Sequence, residues 1–255
     1  MKKLEACSRK WWFFALLLLA QSVLMPIVSR NFDPKNIPGM INVTLRSAPQ
    51  GYLGNLNIVF QSLSLVMLIA LFVFKNKVRT LFNAYVAVSY LAFAFIQNMA
   101  VAEQYGFSIV TVNFVMFLFV AYVWFRETLK PENDFSFSNF KWKYVWMIVL
   151  ALFAYWCPFT HRGQLDFNPL HFFTNNTATA FCLTTPAFLT ILTLNLPKVN
   201  IVTYRITALI GFIIGIYNMF NFLNPHTVWL GFVHLPLVII SLSCAILSYR
   251  IARKN

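Results

Sequence analysis

Residues 53–102 read LGNLNIVFQSLSLVMLIALFVFKNKVRTLFNAYVAVSYLAFAFIQNMAVA, two long apolar stretches joined by the basic segment KNKVR at 75–79. A helix needs roughly 20 predominantly apolar residues to cross about 30 Å of hydrocarbon. Residues 53–74 and 80–102 both meet that length. This part of the sequence therefore predicts two membrane-spanning helices with a short basic loop between them.

The same pattern recurs along the whole chain. Of its 255 residues 59% are hydrophobic and 11% are charged, a composition far from that of an ordinary soluble domain. The sequence predicts an all-α bundle of about eight spans, and a count of seven stays open because the fifth and seventh segments are the shortest. The predicted spans are residues 11–29, 53–74, 80–102, 108–125, 144–159, 177–196, 206–222 and 228–248.

The Lys and Arg residues alternate between the two sides of these segments. With the N-terminus in the cytoplasm, sixteen of the twenty fall in inner segments, and Arg30, Lys35, Arg46 and Arg162 fall in outer loops. Short basic loops resist translocation, so both termini are expected in the cytoplasm. The expected location is the plasma membrane, with the first span as an uncleaved helix.

The net charge of +13 does not indicate nucleic acid binding, because the cations form short clusters beside spans instead of one basic patch. Anionic lipid headgroups at the cytoplasmic face are the expected partner. The four cysteines form no CxxC pair and are expected to be free thiols.

The organisation between the spans leaves no room for a soluble domain. Residues 30–52 contain three prolines and two glycines and are expected to form an irregular outer cap. A weak similarity of the second and third spans to the sixth and seventh suggests a parallel repeat of four plus four helices.

Several spans carry uncharged polar residues, while Asp, Glu, Lys and Arg are absent from their middles. A pump usually places an ionisable group there, so the pattern disfavours ion coupling and leaves a site for a neutral solute open. Hydrogen bonding between helices is the alternative explanation for the polar groups. The expected ligand-binding residues are Asn57, Gln61, Gln97, Asn98, Asn218, Asn221 and His234.

All four histidines lie on the predicted outer side, together with three carboxylates. They lack the spacing of a known zinc motif, so no metal site is predicted. The residues that could contribute to one are His161, His171, His226, Asp166 and Glu103.

Catalytic signatures are missing: the chain has no GxSxG, Walker or GxGxxG sequence. The leading hypothesis is a membrane protein that binds or passes a small neutral or lipophilic molecule through a polar-lined cavity open to the outer side. One alternative is an intramembrane enzyme that acts on a lipid or quinone through outer histidines, and another is a non-catalytic subunit of a membrane complex. The sequence does not indicate a cofactor or an oligomeric state.

Overall fold

The computed structural model describes residues 2–160 and 163–252. This part of the chain is mostly helical, with one small antiparallel sheet. The strands are β1 (Ile27–Val28), β2 (Met99–Ala102) and β3 (Gly106–Ile109). The helices are α1 (Lys2–Ser8), α2 (Trp11–Val23), α3 (Ile37–Arg46), α4 (Leu56–Phe74), α5 (Arg79–Asn98), α6 (Thr111–Leu129), α7 (Val145–Trp156), α8 (His171–Thr174), α9 (Phe181–Leu194), α10 (Ile201–Met219) and α11 (Val228–Ala252).

Four helical segments of the described chain are long and apolar enough to cross a membrane: Leu56–Asn98, Thr111–Leu129, Ile201–Leu223 and Val228–Ile251. A fifth is added if the pair His171–Thr179 and Phe181–Leu194, bent by 94°, counts as one broken span. The apolar helices Trp11–Val23 and Trp142–Trp156 are shorter. The all-α fold class is confirmed, whereas eight spans and the four-plus-four repeat stay predictions.

The segment Leu56–Asn98 consists of two antiparallel helices. Lys75 has a positive φ of 51°, and a 3-10 turn at Lys75–Val78 separates α4 from α5. The side chains of Gln61 and Gln97 accept hydrogen bonds from neighbouring backbone groups, the N–H of Ala178 and of Phe181. On one straight helix the two glutamines would lie about 54 Å apart. The two halves therefore fold back on each other, as the sequence of residues 53–102 predicts.

The sheet replaces the predicted ends of three spans. Helix α2 stops at Val23 and α5 at Asn98, and β3 pairs with both β1 and β2. Gly106 closes the turn with φ +64°, and a Cβ there would clash with Ser29 Oγ on the chain beside it. The predicted boundaries at 29, 102 and 108 differ from this because short apolar strands and helix ends look alike in hydropathy.

Residues 30–52 are more regular than expected. Pro38 lies in the first turn of α3, where a missing N–H costs no hydrogen bond. Met40 and Thr44 are buried on one face of this amphipathic helix. The prediction of an irregular cap was wrong here because proline and glycine near a helix start do not prevent a helix.

The core lies among α5, α6, α9, α10 and α11 and is aromatic in its middle. Phe188 on α9 packs against Phe82, Tyr90 and Trp124, with ring centroids 5.9–6.3 Å apart. The indole N–H of Trp124 donates to Thr207 Oγ1 at 3.0 Å, so its polar atom is paired inside the core.

The basic segments meet at one end of the bundle, which we call the basic end. Asn76 between α4 and α5 donates to Asp134, whose carboxylate lies 3.6 Å from Lys198 Nζ. Arg205 donates to Ser8 near the N-terminus and to Ser248 on α11. These contacts join the turn after α4, the loop after α6, the start of α10 and both terminal helices.

Candidate functional site

A cavity of about 800 Å³ lies at the end of the bundle opposite the basic end. It lies between the end of α2, helix α3, the start of α6 and the junction of α10 with α11 and is open to one side. Its volume is within the range of small-molecule sites, which extends from roughly 300 to 1,000 Å³. We call it the outer cavity, because the sequence pattern predicts that this end of the bundle faces the outer side. Its polar lining residues are Gln21, Ser22, Asn42, Arg46, Thr111, Asn113, Tyr217, Asn218, Asn221, Asn224 and Thr227.

The wall from α10 carries two of the sequence-predicted ligand residues. The amide of Asn218 donates to Ile214 O, and the amide of Asn221 donates to Asn218 O, both at 2.9 Å. Thr227 Oγ1 donates to Asn221 O at 3.2 Å and ties the start of α11 to this wall. Each amide donates from its NH₂ group to a backbone carbonyl, which leaves its side-chain oxygen available as an acceptor.

The wall from α3 is built by helical periodicity. Ile37, Ile41 and Leu45 form an apolar row along the helix, and Pro38, Asn42 and Arg46 form a second row beside it. Both rows line the outer cavity, while the buried Met40 and Thr44 hold the helix to the protein. Sequence reasoning missed Asn42 and Arg46 because they fell in the expected irregular cap. The signal that could have revealed them is the helical periodicity of IPGMINVTLR, in which Ile37, Ile41 and Leu45 recur four residues apart.

The charge in the described lining of the outer cavity is positive. Among the lining residues that the structure describes, Arg46 is the single charged side chain, and none of them is a carboxylate. The guanidinium is exposed and has no ion pair within the described ranges. The site is therefore chemically suited to neutral or negatively charged polar groups beside apolar ones.

Two other predicted ligand residues hold a broken helix in place. The chain bends by 94° before α9, which leaves N–H groups that need acceptors. Gln61 Oε1 accepts from Ala178 N at 2.8 Å, and Gln97 Oε1 accepts from Phe181 N at 2.9 Å. Gln61 Nε2 also donates to Thr177 Oγ1 at 2.6 Å. Both side chains lie outside the outer cavity and make the interhelical hydrogen bonds that the sequence left as the alternative.

Asn57, Asn98 and His234 also lie outside the outer cavity. The amide of Asn98 donates to Phe93 O at 2.9 Å. The side-chain oxygens of Asn57 and Asn98 are buried without a partner in the described structure. His234 Nδ1 lies 2.6 Å from Leu230 O of its own helix.

The outer histidines do not assemble into a metal centre in the described residues, which contain no group of three His, Cys, Asp or Glu side chains suited to one. His171 Nε2 lies 2.9 Å from Asp166 Oδ2, and this contact lowers the pKa of the Asp166 carboxyl below its ordinary value. His226 and Glu103 are exposed. His161 lies outside the described residues.

Two buried ionisable residues at the basic end were placed in cytoplasmic loops by the sequence pattern. Glu127 Oε1 accepts from the backbone N–H of Glu132 and of Asn133, both at 2.6 Å, and Oε2 accepts from Asn200 Nδ2 at 2.8 Å. Arg205 is fully buried, with its guanidinium 5.1 Å from the centre of the Tyr249 ring. Both hold loops and helix ends together.

No family model, no curated protein and no solved structure matches this chain.

Proposed function

We propose that this chain is an eight-span plasma-membrane protein that binds a small neutral or lipophilic molecule in the outer cavity. The observation that carries the proposal is the cavity itself, about 800 Å³ of space whose wall is made of apolar side chains, uncharged polar side chains and the cation Arg46. Sites of this size with a few polar groups among apolar ones are typical of ligand binding.

The proposed membrane orientation is supported by the distribution of charge. The basic segments 75–79, 126–143 and 198–205 and the two terminal regions meet at the basic end, whereas Arg30, Lys35 and Arg46 lie at the opposite end. A cytoplasmic basic end satisfies the positive-inside rule and brings these cations next to anionic headgroups. The outer cavity then opens on the extracytoplasmic side.

Binding is better supported than continuous passage. Between the outer cavity and the basic end, the ring of Phe14 on α2 stacks with Phe212 on α10 at 6.4 Å. Phe13 on α2 packs against Phe119 on α6 at the same distance. Passage along this route would require these helices to separate, and this favours binding over transport.

The two alternative functions have weaker support. An enzyme that uses the outer histidines would need them near one substrate, but His171 pairs with Asp166 and His234 bonds to its own helix. A complex subunit would offer an apolar face to its partner. The outward face of α4, with Val59, Val66 and Val73 at least 60% exposed, is such a face, and lipid covers it equally well.

Cysteine labelling tests the orientation. In a variant without the four native cysteines, Lys35→Cys should react with a membrane-impermeant maleimide on intact cells, and Lys141→Cys should react only after permeabilisation. The opposite result, or labelling of both from outside, would contradict cytoplasmic termini.

A filled cavity tests ligand binding. Leu230→Trp places a large ring in the outer cavity, and Leu242→Trp is the matched control on the exposed side of the same helix. Native mass spectrometry of gently solubilised protein should show a bound small molecule in the parent and in Leu242→Trp, and much less in Leu230→Trp. Equal occupancy in all three proteins would place the ligand elsewhere.

A further inference from the structure

We propose that the ligand of the outer cavity is an amphiphile with one acidic head group, a carboxylate or a phosphate, on an apolar chain. The head group is bound by Arg46 and Asn42, and the chain lies along Ile37, Ile41 and Leu45. This inference rests on the proposed function of the cavity and adds the chemical class of the ligand.

Helix α3 presents an apolar row and a polar row of side chains to the cavity. The apolar row Ile37, Ile41 and Leu45 and the polar row ending in Asn42 and Arg46 run side by side along about 15 Å of helix. A ligand that lies along this surface meets apolar contacts over its length and polar groups at one side. An amphiphile satisfies both rows, whereas a fully polar solute would leave the apolar row without a partner.

Three side chains in the cavity wall offer hydrogen-bond donors to a ligand. Arg46, Asn42 and Asn113 all line the cavity, and none of these side chains has a hydrogen-bond partner in the described residues. A guanidinium binds carboxylate or phosphate through two parallel hydrogen bonds. The position of Arg46 in the last turn of α3 accounts for a cation there through the helix dipole, but it does not account for the two free amides in the same cavity.

The described lining of the cavity contains no carboxylate that would compete with an acidic ligand for Arg46. The outer acidic residues Asp33 and Glu103 do not line the cavity, so no carboxylate of the described chain neutralises Arg46. The rim of the cavity includes the exposed apolar side chains Met25 and Leu45. An amphiphile from the outer leaflet can therefore move into the cavity with its apolar chain and its head group at the same time.

Equilibrium dialysis of the protein in phosphatidylcholine nanodiscs tests this, with dodecanoate as the acidic probe and 1-dodecanol as the neutral probe of equal chain length. Arg46→Gln should weaken dodecanoate binding about tenfold, the loss expected for a charged hydrogen bond at a partly exposed site, and should leave dodecanol unchanged. Lys35→Gln removes the same charge on the same side, outside the cavity, and should leave both affinities unchanged.

Addition of phosphatidylglycerol to the nanodiscs distinguishes the two sources of an acidic head group. Competition with dodecanoate in the parent, lost in Arg46→Gln, assigns the site to a bilayer phospholipid. Dodecanoate binding that is insensitive to phosphatidylglycerol but sensitive to Arg46→Gln assigns it to a free fatty acid.

Failure of this inference and failure of the proposed function have different signatures. If Leu230→Trp removes binding of both probes but Arg46→Gln leaves their ratio unchanged, the cavity binds ligand and the acidic head group is wrong. If Leu230→Trp leaves both probes bound as in the parent, the cavity is not the site and the proposed function fails as well.

Discussion

Replacement of Glu127 by alanine should destabilise the protein more than any other single change at the basic end. The carboxyl group accepts two backbone hydrogen bonds at 2.6 Å and one from Asn200 at 2.8 Å. The side chain is fully buried, and Asn133 and Asn200 are buried with it, so the N–H groups of these two donors cannot turn to water in the variant. Each buried donor left without an acceptor costs about 1–3 kcal/mol, and relaxation of the loop recovers part of the sum. We expect a loss of roughly 3–5 kcal/mol in the free energy of unfolding.

The measurement is the free energy of unfolding in detergent micelles, from denaturant titration followed by tryptophan fluorescence. Glu132→Gln is the matched control, because Glu132 accepts one hydrogen bond from the same Asn200 amide at 3.0 Å and lies at a more exposed position. It should lose less than about 1 kcal/mol. A loss below 1 kcal/mol in Glu127→Ala, or equal losses in both variants, would refute the assignment of Glu127 as the residue that holds the loop after α6.

Gln61→Leu should lower the unfolding free energy by about 2–3 kcal/mol, since it removes the acceptor of Ala178 N and the donor to Thr177. Asn57→Leu on the same helix is the control. It replaces an unpaired buried oxygen and should change the unfolding free energy by no more than about 0.5 kcal/mol. Denaturant titration of both variants measures this, and equal effects would contradict the role of Gln61 at the broken helix. The hydrogen bond from Asn76 lowers the pKa of Asp134 to about 2. The stabilisation from Asp134 is therefore complete above the ordinary pKa of ~3.9 and is lost as the pH falls through about 2. Asp134→Asn should therefore flatten the loss of stability between pH 4 and pH 2 in thermal unfolding curves, and an unchanged pH profile would exclude this contribution.

Local sequence was sufficient where one property decided the outcome. Each of the eight predicted segments contains an apolar helix in the described structure, because length and hydropathy are properties of the segment itself. The boundaries were less predictable. Whether Met99–Ala102 continues α5 or pairs with Gly106–Ile109 depends on a strand partner and on the positive φ of Gly106.

The candidate site was predictable only in part. Of the seven residues expected to bind a ligand, Asn218 and Asn221 line the outer cavity, while Gln61 and Gln97 serve as acceptors for a helix that breaks before α9. A polar residue in an apolar helix is visible in the sequence, but its partner is not, since hydrogen bonding within the bundle and contact with a ligand require the same residue types.

The sequence by itself determined the all-α fold class, the apolar helical segments and the separation of basic from non-basic connections, because these follow from local composition and from the length of apolar stretches. The tertiary structure alone decided which polar groups meet. It brought Arg46 and Asn42 of the short helix α3 to the same cavity as Asn218 and Asn221, and it buried Glu127 and Arg205 at the basic end. Such contacts join residues far apart in the chain and arise from the packing of helices against one another, which no local pattern encodes.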